Sequence, residues 1–279
     1  MSGRFGIFRL IATWPVLAAV MLALAAPASA ATCGGAYPNF LVQMQKDALA
    51  AGVNQQTISM AFAGLSPDQT VLAFDRRQHG MFHSKSFEDY ARTRVVPARI
   101  NRAKKLMAQH ADLLSRIERQ FGVPRDLIMA IWTLETDNGT GDMGKLPVIR
   151  TLSTLAWDCR RTDLFQGELI AALKILQRGD LPLGDLVGAY AGEIGQTQFL
   201  PSSYIKYGVD YDGDHRVDLR HSVPDVLAST ANLLHTNGWQ PGQPYHEGTA
   251  NFEAMREWNH SEIYRKTLVL FAEQLGGRV

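Results

Sequence analysis

The residue whose setting suggests chemistry is Glu135, in the stretch FGVPRDLIMAIWTLETDNG at 121–139. Pro124 suits a helix start and Asn138-Gly139 a stop, so the stretch reads as a helix with a carboxylate in its last turn. Leu127, Ile128, Ile131, Trp132 and Leu134 supply its apolar face. Glu135 follows Ile128 by seven residues and Ile131 by four, which sets it on that face. A carboxylate there loses water and meets the negative end of the helix dipole. Both effects disfavour ionisation, as a general acid near neutral pH requires. The same spacing also fits a helix-end glutamate that bends out to solvent.

Two further stretches carry chemistry. In GAYAGEIGQTQFLPSSY at 188–204, Gly188, Ala189, Ala191, Gly192 and Gly195 permit close approach of backbone to backbone or of backbone to ligand. Tyr190, Gln196, Gln198 and Tyr204 add rings, hydroxyls and amides, groups that suit the polar rim and C–H faces of a sugar. The alternative is a tightly packed helix-turn with surface glutamines. In DYDGDHRVDLRHSVPD at 210–225, Asp210, Asp212 and Asp214 alternate as at the start of an EF-hand loop. The glycine falls at the fourth position instead of the sixth, and His221 stands where the bidentate glutamate belongs; Asp225 is a later closing acid. A calcium or sodium ion fits this stretch, and so does an Asp-rich turn bonded to itself.

Other chemistries are excluded. The loop Gly139–Gly144 lacks the lysine and threonine of a phosphate loop. With two cysteines and no HExxH pattern, a zinc site is not expected, and His79, His83 and His110 have no ligand spacing.

The elements that must position these residues are mostly helical. Phe40–Ala51 has helical spacing and ends at Gly52; Asn54 caps the next helix, through Phe62. Asp75–Ser86 reads as a polar loop crossing the surface. Helical patterns follow from Phe87, with a break near Pro97, and over Ala111–Phe121, Thr151–Trp157 and Asp163–Gln177. Arg99, Arg102, Lys104 and Lys105 form a solvated basic face, or a contact for an anionic polymer.

Arg4 and Arg9 precede an apolar run from Pro15 to Ala26, and Ala28-Ser29-Ala30 suits signal peptidase. Residues 1–30 therefore read as a cleavable signal peptide and 31–279 as the mature domain, bound for the periplasm. Ala30-Ala31-Thr32 before Cys33 is a poor lipidation site, so a lipid anchor is not expected. Cleavage takes the formal charge from +1 to −1, since the leader carries two arginines and no acid. Such a chain has no electrostatic case for nucleic acid. In an exported chain, Cys33 and Cys159 read as a disulfide, with two unpaired thiols as the alternative.

Taken together, LETDNG at 134–139, AGEIGQTQFLPSSY at 191–204, WDCRRTDLF around Cys159, NGW at 237–239 and Trp258-Asn259-His-Ser261 are similar to family motifs. On them the chain resembles the lytic murein transglycosylases of the membrane-bound B type, within the goose-lysozyme-like group, from about Cys33 to its end. The resemblance implies a mainly α fold: a lysozyme-like core at about 111–240, helical extensions, a small loop-rich lobe near 205–221, and substrate in a groove between lobes. It implies Glu135 as the catalytic acid, Gln198 in the glycan groove, and Trp258 and Asn259 as sugar contacts, with Tyr190 as a further candidate contact. Asp210, Asp212, Asp214 and Asp225 become the candidate ligands of a structural calcium or sodium ion. The implied reaction cuts the β-1,4 bond between N-acetylmuramic acid (MurNAc) and N-acetylglucosamine (GlcNAc) in peptidoglycan without water, leaving 1,6-anhydro ends and requiring no cofactor. One acid suffices where the substrate's own acetamido group is the nucleophile. The implied partners are glycan strands, with proteins of wall synthesis or remodelling a further candidate.

Two positions depart from the family pattern. Ala189 stands where a serine is usual, so a polar helper of the acetamido group is missing or supplied elsewhere. Glu193 replaces a usual alanine; it is either a second carboxylate near the cleft or a surface residue beside Gly192. A catalytically silent glycan-binding or scaffold protein, and a hydrolytic muramidase, remain the alternatives.

Overall fold

The computed structural model describes residues 31–77 and 86–276. The expected leader at 1–30, with His79 and His83, lies outside them. Among the described residues the fold is mainly α, with thirteen α-helices and one two-stranded antiparallel ribbon. An N-terminal group comprises α1 (Tyr37–Ala50), α2 (Gln55–Phe62) and α3 (Gln69–Arg77). Next come α4 (Phe87–Arg94), α5 (Pro97–Gln109), α6 (Ala111–Phe121) and α7 (Arg125–Thr136). β1 (Leu146–Pro147) leads into α8 (Val148–Trp157) and α9 (Thr162–Arg178). β2 (Val187–Gly188) pairs with β1, Leu146 opposite Gly188, before α10 (Pro201–Tyr207) and α11 (Val223–Thr236). The chain closes with α12 (Ala250–Ala254) and α13 (Glu262–Leu275).

Side-chain caps start several helices: Asn54, as the sequence implies, accepts from the Thr57 amide at 2.8 Å, and Ser261 accepts from that of Tyr264. The central element is α7. Its residues 126–134, and Thr136, are all buried, so it is enclosed on every side instead of showing one apolar face. α5, α6, α11 and α13 pack around it. Its polar residues tolerate this because each finds a partner. Asp126 accepts from the Tyr245 hydroxyl, and Thr133 donates to the Met129 carbonyl at 2.7 Å.

Two expectations, and one alternative, need correction. Asp75 is not in a surface loop: it sits in α3, is only 1% exposed, and is gripped by Arg160 and Arg161. The alternative of a helix-turn at 188–204 does not hold: after β2, 189–200 is a folded loop, with isolated bridges Gly188–Ile194 and Ile194–Phe199, and α10 begins only at Pro201. Tyr204 is fully buried and donates to the Val217 carbonyl, away from any groove.

A disulfide joins Cys33 to Cys159. The Gly34 amide donates to the Trp157 carbonyl at 2.8 Å, and the Trp157 indole returns a bond to the Gly34 carbonyl at 3.0 Å.

Candidate active site

The site is built on the end of α7. Asp137 leaves the helix in a left-handed conformation (φ 51°), its amide donating to the Thr133 carbonyl at 3.0 Å. An acid at a helix C-terminus opposes the dipole; Arg99 of α5 offsets it with an ion pair at 2.7 Å. Part of the basic face expected over α5 is thus committed to holding this terminus. Thr136 donates to the Gln196 carbonyl at 2.5 Å, and the Trp132 indole to Gln196 Oε1 at 2.8 Å. Gln196 is therefore buried scaffold that locks α7 to the 188–200 loop, and no sugar contact.

That loop uses its small residues for backbone packing. A Cβ on Gly188 would lie 2.0 Å from the Glu193 carbonyl oxygen, and one on Gly144 2.1 Å from that of Gly188. The Ala189 amide donates to the same Glu193 carbonyl at 2.9 Å, which closes the turn.

Glu135, Glu193, Gln198, Phe199, Trp258 and Asn259 all line one open cavity of about 430 Å³. The half-buried Glu135 accepts at Oε1 from the Tyr264 hydroxyl, and from the Trp258 indole at 3.2 Å. Burial raises its proton affinity above the usual carboxylate value; the Tyr264 and Trp258 bonds oppose that, and the charge of Glu193 adds to it. The net direction is upward, so the carboxyl is suited to hold a proton.

Gln198 donates to the Gly195 carbonyl at 2.8 Å and to that of Met143 at 3.4 Å. Met143 lines a second cavity, of about 650 Å³, with Lys145, Ala189, Tyr190 and Arg220. Gln198, on the wall of the Glu135 cavity, thus bonds to a residue of the neighbouring one. The structure thus gathers Gln198, Trp258 and Asn259 around Glu135, while Tyr190 lies in the neighbouring cavity. There the Tyr190 hydroxyl accepts from Arg161 at 3.1 Å and its ring packs on Phe74, centroids 4.4 Å apart. Asn259 also braces its own turn, accepting from the Ser261 amide at 2.9 Å.

The Asp-rich loop lies apart from this cavity. One carboxylate oxygen from each of Asp210, Asp212 and Asp214 falls within 4.8 Å of the others, an all-oxygen set suited to a hard cation. Asp225 is outside that group. It is fully buried, and its oxygens accept from the amides of Tyr211 at 2.8 Å, Asp212 at 3.4 Å and Asp218 at 2.8 Å. Its carboxylate organises the loop from within.

Sequence reasoning missed Tyr264, which lies 129 residues from Glu135 on α13. No motif marks it; its only sequence signal is the cap Ser261 three residues earlier.

The sequence matches the family described as the transglycosylase SLT domain over residues 36–249. The chain belongs to the transglycosylase SLT family. Over 155 residues it is 36% identical to the membrane-bound lytic murein transglycosylase B of Escherichia coli K12, which covers 55% of this chain and 42% of that relative's length. Its structure resembles that of SltB3 from Pseudomonas aeruginosa, solved in complex with a NAG-NAM-pentapeptide. The TM-score is 0.81 at 31% identity, covering 88% of this chain and 81% of that one. The soluble lytic transglycosylase SltB1 from the same organism shares the fold, with a TM-score of 0.78 at 23% identity, over 85% and 98% of the two chains. The SLT fold of this chain is lysozyme-like, and Trp258 and Tyr264 bring the site residues from beyond position 249 as well as from within the matched span.

Proposed function

We propose that this SLT-family chain is a lytic transglycosylase that cleaves the MurNAc–GlcNAc β-1,4 bond of peptidoglycan without water and leaves 1,6-anhydro-MurNAc ends. The observation that carries the reading is the Glu135 carboxyl, held on a groove wall where burial favours its protonated form. In the first step the MurNAc acetamido oxygen bonds to C1 while the C1–O4 bond breaks, and the Glu135 proton passes to the departing O4. In the second, Glu135 takes the proton of the 6-hydroxyl, O6 bonds to C1, and the acetamido oxygen leaves C1. One residue acts as acid and then as base. The cavity that holds Glu135 also presents Gln198, Trp258 and Asn259 to a sugar, and a second cavity lies beyond the Gln198–Met143 bond. The reaction as written needs no cofactor.

Digestion of purified sacculi, read by mass spectrometry of the muropeptides, tests this. Wild type yields anhydro ends, and Glu135→Gln lowers their rate of formation by about 10²–10⁴-fold. Reducing ends in their place would establish the second reading, a hydrolytic muramidase, to which the second carboxylate Glu193 in the cavity lends support. Binding of sacculi without turnover would establish a silent scaffold.

The same reading places the chain in the periplasm after removal of residues 1–30, with glycan strands as its ligand. Among the described residues no helix is long and apolar enough to cross a membrane. Asp210, Asp212 and Asp214 would hold a calcium or sodium ion that stiffens the loop between α10 and α11. Added calcium is then expected to raise Tm in the wild type and not in Asp212→Ala; equal melting of both with and without the ion would remove the site.

A further inference from the structure

Glu193 lines the cavity that holds Glu135, while Ala189, four residues earlier, lines the neighbouring one. We propose that Glu193 is a second substrate-facing carboxylate, which accepts the acetamido N–H of the MurNAc unit and balances the charge that group acquires as its oxygen bonds to C1. This rests on the reading of the chain as a glycan lyase.

The backbone around Glu193 is fixed from both sides. Its carbonyl accepts the Ala189 amide, and the next residue, Ile194, bridges both Gly188 and Phe199. The lack of room for a Cβ on Gly188 leaves that turn little freedom. A side chain on such a wall is presented in one place, as a transition-state contact requires. Its Oε2 accepts from the Ala191 amide at 2.9 Å. An ionised carboxylate offers about four acceptor sites, so capacity remains for a ligand donor.

The electrostatics favour a cationic or donor ligand. Among the described residues Glu193 has no ion pair. Arg161 acts on it through space, while one of its terminal nitrogens is engaged by Asp75 and the Tyr190 hydroxyl. Burial without a paired cation destabilises the ionised form. An acetamido N–H, donating to Glu193, supplies the missing partner. As the acetamido oxygen attacks C1, positive charge spreads onto the same nitrogen, so the interaction strengthens in the transition state. The N–H proton stays on nitrogen throughout. Glu135 gives its proton to O4 and then receives that of O6, and the acetamide is restored when its oxygen leaves C1. The other titratable groups around the pair are Glu257 and His260 on the cavity wall and Tyr264 from α13.

The test uses the full mature chain and glycan fragments of defined length, with anhydro products quantified by mass spectrometry. Glu193→Gln is expected to lower kcat by about 10- to 100-fold with KM within about twofold, since a uniform binding contact would move KM instead. With one negative charge gone from beside Glu135, the alkaline limb of kcat/KM moves to lower pH, which a merely structural role would not cause. A substrate methylated on the acetamido nitrogen slows the wild type but slows Glu193→Ala no further, a comparison that does not depend on how well any one variant folds. Unchanged kcat and an unmoved alkaline limb in Glu193→Gln, or equal sensitivity of both enzymes to methylation, overturns the role of Glu193 while the lyase reading stands. Failure of the wild type to make anhydro ends overturns the lyase reading itself.

Discussion

Glu135 is held between opposed influences. Burial and the neighbouring charge of Glu193 favour the protonated carboxyl, and the end of α7 adds its dipole in the same sense. The Tyr264 hydroxyl and Trp258 indole favour the carboxylate. On the proposed mechanism Glu135 gives a proton and then takes one, and it gains from both: the first set loads the acid, and the second stabilises the anion present halfway through. Tyr264→Phe removes a donor to the charged form, so the Glu135 proton affinity rises further. The alkaline limb of kcat/KM is then expected to move to higher pH, opposite to the shift in Glu193→Gln. A pH–rate series on both variants checks the pair of signs.

At the level of elements, two loops do the positioning. In the 188–200 loop, a methyl group at position 188 meets the Glu193 carbonyl, so Gly188→Ala is expected to cost roughly 1–3 kcal/mol, read from denaturant midpoints. In the 208–222 loop, Asp225→Ala strips three backbone amides of their acceptor inside the fold, for a loss of about 3 kcal/mol. How far these elements could be read in advance depends on the range of the forces involved. The limits of α7 and its terminal acid were legible because Pro124, Asn138 and Gly139 act locally. The enclosure of α7 was not, since Asp126 and Thr136 look like an exposed face until Tyr245 and Gln196 are brought to them. Asp75 was misread for the same reason: its partner Arg160 is 85 residues away. The small residues of 188–195 were legible as a site of close approach, and at Gly188 and Gly195 the approaching surface is backbone, one of the two readings the sequence left open.

Across the molecule, the disulfide closes a sequence separation of 126 residues. By chain entropy alone such a closure contributes up to about 5 kcal/mol, and measured values commonly fall at 2–4 kcal/mol. Cys159→Ser is expected to lose stability in that range by chemical denaturation. The neighbours of Cys159 extend the effect. Arg160 and Arg161 clasp Asp75 of α3, and Arg161 also reaches the Tyr190 hydroxyl on the wall of the larger cavity. A reductant that opens the sulfur–sulfur link therefore slackens a tether whose far end is a ring bordering the trough. On the proposed function, its first sign is weaker retention of long glycan chains at unaltered turnover, before any unfolding is detectable.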